Sequence, residues 1–584
     1  MNALPYVLAL ALIHTGVSAG PAAGDMTAIH KHGQTFITWT EDADPNARYN
    51  LYASDRPITA DNLAATKLVA VGIPSGTGVD ALAEQRKPLP MQIYVKDQFS
   101  SDWYANISGA DPALMDEAKH GYAIGTFGKH LAPATALYVR NIETPGTTYY
   151  AVAKADQNGS VAGSLVAAAG PVDEKPGRPE PVLERLKRYD SGETVRYYTH
   201  WATKDMSLKD NMPFKFELQT GSGVGKGKPS PLVLLLHGGG GAETLPIPIE
   251  DNFILIVPNN YTPGFPHVYD FWFGYNTECY GGGLKKGVNV NFTEKRLLYI
   301  LDWAKSAFDV DENRIYLTGG SMGGTGTLNF GLRHPEIFAA LYANVPHTNM
   351  GGGEAPHDAW FLRLWGERSD AVKTNEGVNV WDRFNSIAYV ADPRNDIPFV
   401  KTLNSREDPA MPWREIPPFI KALNGTRRGF VSGWGVGPHN LPFDRRPMLA
   451  RKFDPFQIAK NESYPAFSNT SINDDPGNGD KDNGTVTGQM GGGFDWRILT
   501  DEERVWSARI SHISDPQTGV TADITLRRLQ KLRVVDNRKY VYTNTDSNGN
   551  LLQTGTIEPD DLDLLTLSKI TITSSGNTIT VAGK

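Results

Sequence analysis

Cysteine is almost missing from this chain. Cys279 is the single one among 584 residues, so no disulfide can close within the chain. That excludes the disulfide-rich scaffolds of eukaryotic extracellular proteins and leaves a cytosolic or a bacterial secreted protein. Cys279 itself reads as a packed thiol. Long apolar runs are missing too, and no stretch approaches the roughly 20 residues of a membrane-spanning helix. Positive charge is not in excess: 57 Lys+Arg stand against 65 Asp+Glu, a net −8. Neither nucleic acid nor an anionic membrane is therefore an expected partner. There is no H-E-x-x-H, no Cys/His cluster and no Gly-rich phosphate loop, so neither metal nor cofactor is expected. No internal repeat is visible. The length exceeds one ordinary core and implies two to four domains.

What is present centres on Gly319-Gly320-Ser321-Met322-Gly323-Gly324, directly after the strand-like run Arg314-Ile315-Tyr316-Leu317-Thr318. This fits G-x-S-x-G, a strand turning sharply into a helix with serine at the apex. Side chains two positions either side of that serine would collide, and glycine at 319 and 323 removes them. A helix is predicted from Met322 to Arg333, ended by His334-Pro335, because proline disfavours helix in the residue before it.

A serine nucleophile needs an oxyanion site, a base and an acid. Upstream, Pro231–Leu236 is an unbroken apolar run, as for a parallel strand buried on both faces. His237-Gly238-Gly239-Gly240-Gly241 follows, a loop whose backbone N–H groups can approach a substrate oxygen. Met322 N–H is one expected oxyanion donor and Gly239 or Gly240 supplies the second. Downstream, Ile397–Leu403 reads as a strand, and Asp408 lies on the loop past its carboxyl end. Glu407 competes with Asp408, whereas Asp392 and Asp396 precede the strand. Arg428–Ser432 reads as the last strand, followed by His439 in a Gly-rich loop. His347 and His357 are alternatives that could line the pocket but precede the acid. The order Ser321, Asp408, His439 is the one expected of this strand–turn–helix arrangement.

The flanks read differently. Val7–Ile13 followed by Val17-Ser18-Ala19 matches the apolar region and cleavage site of a signal peptide over 1–19, although the terminal amine is the only positive charge before it. Secretion, or a bacterial periplasmic location, is expected. Residues 25–172 read as β: Gly33–Thr40, Arg48–Ser54 and Pro145–Ala155 are strand-like, with a turn at Asn158-Gly159. A long insertion at about 60–130 carries Trp103, Tyr104, Tyr122 and Phe127 and reads as packing. Residues 173–182 form a linker by composition, and Val195–His200 and Phe214–Leu218 lead into the next domain, placed at 183–467. The Asp/Asn/Gly-rich stretch 468–493 reads as a solvated linker rather than a calcium loop, because its glycine spacing does not fit an EF-hand. Residues 494–584 read as a small β-sandwich, with turns at Asn548-Gly549 and Ser574–Asn577.

The elbow Asp311–Gly324, with Arg333-His334-Pro335 and Phe338-Ala339-Ala340, resembles that of secreted α/β-hydrolase esterases of the polyhydroxybutyrate-depolymerase-like and feruloyl/acetylxylan group. It also resembles prolyl-oligopeptidase-type peptidases. The N-terminal module resembles fibronectin type III. The resemblance covers roughly 230–450 and implies an α/β-hydrolase catalytic domain between two β domains, acting as a metal-free carboxylic ester hydrolase. Ser321, Asp408 and His439 take the triad positions. His237, Trp272, Tyr275 and Trp434 are expected to contact substrate. The implied substrate is an ester, polymeric, such as acetylated or feruloylated polysaccharide. A polyester depolymerase, a serine peptidase and a non-catalytic carbohydrate-binding protein are the alternatives.

Overall fold

The computed structural model describes residues 25–79, 121–124, 130–156, 161–190, 192–239, 246–247, 249–262, 268–352, 358–439, 449–514 and 519–583. The expected signal peptide, the Asn158-Gly159 turn, and Trp103, Tyr104 and Phe127 lie outside these residues. The chain divides into two compact units, one formed by Met1–Asp80, His120–Tyr122 and Leu131–Pro179, the other by the rest.

The first unit is antiparallel β. Its strands are β1 (Met26–Lys31), β2 (Gln34–Thr40), β3 (Arg48–Ser54), β4 (Lys67–Pro74), β5 (Thr135–Asn141), β6 (Gly146–Ala155) and β7 (Val161–Glu174). They make a sheet of order β1-β2-β5 and a sheet of order β4-β3-β6-β7. Ile37, Trp39, Tyr49, Leu51, Tyr150 and Val152 share one core. Strand β7 runs on to Glu174, past the boundary expected at 172. The reason is chemical: the buried Glu174 carboxylate accepts hydrogen bonds from Thr35 Oγ1 (2.5 Å), Tyr150 OH (2.5 Å) and Thr148 Oγ1 (2.6 Å). A carboxylate so satisfied can be buried at little cost, which composition alone does not reveal.

The second unit is built on one ten-stranded sheet. In chain order its members are β8 (Val182–Arg188), β9 (Thr194–Trp201), β10 (Pro213–Thr220), β11 (Ser230–Leu236) and β12 (Ile254–Pro258). After the two-residue pair β13 (Tyr275–Asn276) and β14 (Asn289–Val290) come β15 (Val310–Gly320), β16 (Ala340–Asn344), β17 (Phe399–Ser405) and β18 (Phe430–Gly435). Strand β19 (Tyr464–Ser468) belongs to another sheet, and β20 (Gly488–Met490) returns to this one. The spatial order is β20-β18-β17-β16-β15-β11-β12-β10-β9-β8. From β12 to β18 the neighbours run parallel.

The apolar run of β11 explains why this sheet sits at the centre. Side chains alternate faces along a strand. Leu232, Leu234 and Leu236 enter one core, and Val233 and Leu235 enter the core on the other face. The helix Phe292–Ala307 covers the first face with Leu297, Ile300, Leu301 and Ala304, a helical repeat of buried positions. The helix after Ser321 spans Met322–Gly331 and is buried throughout.

One expectation about the carboxyl-terminal flank changes. The stretch 468–493 is not a solvated linker, since it contributes β20, which pairs antiparallel to β18, Trp434 opposite Gly488. Its Asp and Asn side chains satisfy the loop's own N–H groups, so a hydrophilic composition folds back onto the sheet. Apart from β20, the strands from β19 to Gly583 form sheets of three and five strands. Their common core holds Trp506, Ile510, Ile524, Leu567, Ile570, Ile579 and Val581.

Leu234 is fully buried in the middle of the central strand. Leu234→Ala should destabilise the second unit by about 2–5 kcal/mol, measured as a shift of the urea unfolding midpoint. An unchanged midpoint would contradict the placement of β11.

Candidate active site

Parallel strands that share a direction bring their carboxyl ends to one edge, where ligands of such sheets bind. Here the loops after β11, β15, β17 and β18 meet at that edge. Strand β15 ends in Gly319-Gly320, and Ser321 adopts φ 58°, ψ −121°, a backbone conformation that L-residues rarely take. Ser321 N–H donates to the Asn344 carbonyl at the end of β16 (2.9 Å). The turn leaves no room for side chains. A Cβ on Gly323 would lie 1.9 Å from the Leu236 carbonyl oxygen, and one on Gly319 would lie 2.6 Å from it.

Ser321, His439 and Asp408 form one hydrogen-bonded chain. His439 Nε2 is 2.7 Å from Ser321 Oγ and His439 Nδ1 is 2.6 Å from Asp408 Oδ2. The other carboxylate oxygen, Oδ1, accepts from the N–H groups of Ala410 (2.8 Å) and Met411 (2.9 Å). The carboxylate is thus oriented from both ends. With the proton on Nδ1 facing the carboxylate, Nε2 presents its lone pair to the serine hydroxyl. The Asp408 side chain is 1% exposed and that of His439 is 23% exposed, so the acid is shut in while the imidazole faces solvent. Glu407 beside it is exposed. Asp396 caps the chain before β17 by accepting from Ile397 N–H, and Asp392 is paired with Arg394. Neither joins the cluster.

The loop after β11 passes beside the serine, for a Cβ on Gly238 would lie 3.7 Å from Ser321 Cβ. His237 holds that loop. Its Nδ1–H donates to the Gly238 carbonyl (2.8 Å) and its Nε2 accepts from Asn260 N–H (3.0 Å). In a trans peptide the carbonyl and the following N–H point in opposite directions. The Gly239 N–H is therefore turned away from the buried ring, and a Cβ on Gly239 would meet nothing within 4 Å. Met322 is the first residue of its helix, so its N–H has no partner within the helix. Gly240 lies outside the described residues, as does His357.

His237, Trp272, Tyr275 and Trp434, expected to contact substrate, do not line an open face: all four are buried. They brace the loops instead. Trp272 Nε1 donates to the His237 carbonyl (3.2 Å). Tyr275 packs on Phe292 with ring centroids 4.9 Å apart. Trp434 Nε1 donates to the Thr485 carbonyl (2.9 Å). His347 is also buried, with Nδ1 3.2 Å from Glu415 Oε2. The resemblance implied a binding face, but Gly-rich loops need rigid support from below, and the rings supply it.

Asp270 was not singled out from sequence. Its buried carboxylate accepts from Asn260 Nδ2 (2.8 Å), Trp272 N–H (3.0 Å) and Thr293 Oγ1 (2.5 Å). Asp270 thereby links His237, through Asn260, to the helix Phe292–Ala307. An isolated Asp between aromatic residues carries no motif, so nothing in the sequence marked it.

Residues 295–430 match the prolyl oligopeptidase family. No curated protein matches the chain. Among solved structures, an S-formylglutathione hydrolase from Agrobacterium tumefaciens is 16% identical, covering 44% of this chain and 90% of its own, with a TM-score of 0.32. A ferulic acid esterase is 16% identical over 43% of this chain and 92% of its own, TM-score 0.30. An acylaminoacyl peptidase from Pyrococcus horikoshii is 10% identical over 71% of this chain and 66% of its own, TM-score 0.30. The sheet order and the family match define an α/β-hydrolase-type fold and support a serine hydrolase.

Burial pushes the His237 imidazole down to about 4, against about 6.5 in the unfolded chain. Below pH 6.5 the unfolded chain takes up a proton that folded His237 refuses. Its contribution to stability is therefore present above pH 6.5 and is lost as pH falls toward 4, amounting to roughly 3 kcal/mol. His237→Gln should flatten the pH dependence of the urea midpoint between pH 7 and 4 by up to about one proton. An identical slope in the variant would contradict the burial of this ring.

Proposed function

We propose that the protein is a serine carboxylic ester hydrolase working through an acyl-enzyme. The observation that carries this is the continuous hydrogen-bonded chain from Ser321 Oγ through His439 to Asp408. His439 takes the hydroxyl proton as Ser321 Oγ attacks the ester carbonyl carbon. Asp408 holds the imidazole tautomer and stabilises the imidazolium. The carbonyl oxygen, now an oxyanion, accepts from Met322 N–H and Gly239 N–H. His439 then protonates the leaving alkoxide, and a water activated by the same imidazole releases the acid.

Esterified polysaccharide, carrying acetyl or feruloyl groups, is the substrate class proposed. It rests on the likeness of the Asp311–Gly324 elbow to secreted esterases, and a location outside the cytoplasm is proposed with it. Among the described residues no helix is long and apolar enough to cross a membrane. The N-terminal unit, with its sheets of three and four strands, is proposed as a fibronectin III-like module. Serine peptidase activity is the second reading, favoured by the match of residues 295–430 to the prolyl oligopeptidase family.

Wild type and Ser321→Ala should be compared on p-nitrophenyl acetate, methyl ferulate, acetylated xylan and the matching p-nitroanilide. Ester turnover should exceed anilide turnover and fall at least about 1,000-fold in the variant. Faster anilide than ester turnover would favour the peptidase, and equal rates in both proteins would remove Ser321 as nucleophile.

A further inference from the structure

Arg406 lies just before the acid loop and is 4% exposed. Its guanidinium is held by backbone carbonyls. Nη1 donates to the Thr485 carbonyl (2.5 Å), and Nη2 donates to the Asn483 carbonyl (2.9 Å) and to the Lys481 carbonyl. Its Cζ lies 5.3 Å from the centroid of the Trp413 ring. Three carbonyls from alternate positions of one loop thus converge on a single buried cation. Such a cation is costly to bury without partners, and carbonyl dipoles are partners of the right sign.

The Asp/Asn/Gly-rich loop is shaped to present those carbonyls. Asp475 Oδ1 accepts from Gly477 N–H, Asn478 Oδ1 from Asp480 N–H, and Asp480 Oδ1 from Asp482 N–H, each at 2.9 Å. Thr485 N–H donates to the Asp475 carbonyl (2.7 Å), closing the loop. The Thr485 carbonyl also takes the Trp434 indole N–H, so it joins Arg406 to β18, the strand that leads to His439. The main chain of Arg406 adds a second tie, its N–H donating to the Gly435 carbonyl (3.0 Å). Ser405 Oγ donates to the Gly437 carbonyl in the same loop. One residue therefore grips the loop 474–487 by its side chain and the His439 loop by its amide, close to Asp408 in sequence.

We infer that Arg406 is a positioning residue, an internal cation of the 474–487 loop that keeps the Asp408 carboxylate aimed at His439. This rests on the triad proposed above. Asp408 and His439 are 2.6 Å apart, and a displacement near 1 Å at such a contact costs on the order of 100-fold in rate.

The test compares Arg406→Ala, Asp408→Asn and the double variant on p-nitrophenyl acetate, with circular dichroism confirming the fold. Arg406→Ala should lower kcat on the order of 10- to 100-fold with KM nearly unchanged. Added guanidinium chloride at millimolar concentration should restore part of kcat in Arg406→Ala and none in Asp408→Asn. The double variant should be no slower than Asp408→Asn. Wild-type kcat in folded Arg406→Ala, or a loss that multiplies fully with that of Asp408→Asn, would overturn the inference while leaving the triad standing. Full activity in Asp408→Asn would instead overturn the triad, and this inference with it. If Arg406→Ala does not fold, Arg406→Lys decides, because lysine keeps the charge but cannot reach three carbonyls as a planar fork. Reduced kcat at unchanged KM is then expected, and wild-type kcat overturns the inference.

Discussion

The close approach between the end of β11 and the turn at Ser321 is the constraint on which the rest of the second unit depends. Cβ atoms at Gly319 or Gly323 would overlap the Leu236 carbonyl oxygen. Because neither residue has a side chain, the helix Met322–Gly331 can start directly against the central strand. That start forces Ser321 into its strained conformation, places the Met322 N–H at a helix N-terminus, and lets the loop after β11 run beside the serine. Nucleophile and the Met322 donor are thus set by one packing contact, and the Gly239 N–H is oriented by the His237 ring that holds the same loop.

Below that edge lies a frame of buried polar groups. Asp270 connects the helix Phe292–Ala307 to Asn260 and so to His237, whose imidazole fixes the Gly238 carbonyl. On the other side of the serine, Ser405 and Arg406 stitch the acid loop to the loop bearing His439. Asp270 Oδ1 and Oδ2 both accept hydrogen bonds and both nitrogens of the His237 ring are paired, which makes this frame costly to disturb. The glycine-rich loops above can consequently be short of side chains without being loose. The loops carry the chemistry, and buried aromatic rings such as Trp272 and Trp434 carry the loops.

Much of this was legible in the sequence, and the reasons are physical. The run Pro231–Leu236 announced a strand buried on both faces because every position in it is apolar. Gly319 and Gly323 announced the turn because no other residue fits. The pairing of Asp408 with His439 followed from their places after two strand-like runs, and the structure separates Asp408 from its neighbour Glu407 by burial. The substrate-facing roles given to His237, Trp272, Tyr275 and Trp434 failed because a likeness to a family's loop does not tell an aromatic that lines a cleft from one that supports a loop. The stretch 468–493 was misjudged because hydrophilic composition was taken to mean solvent. Asp475, Asn478 and Asp480 spend their side chains on local N–H groups, and the freed carbonyls face Arg406, a long-range contact that no local pattern encodes.

The central claim is that Ser321 is a nucleophile activated by His439. It is tested most directly by incubating the protein with a fluorophosphonate, which loses fluoride as a serine oxygen bonds to phosphorus, and locating the adduct by mass spectrometry of proteolytic fragments. The account predicts a single adduct, on Ser321, formed at least about 100-fold more slowly in His439→Ala. An unlabelled folded protein, or an adduct on another residue, would contradict it.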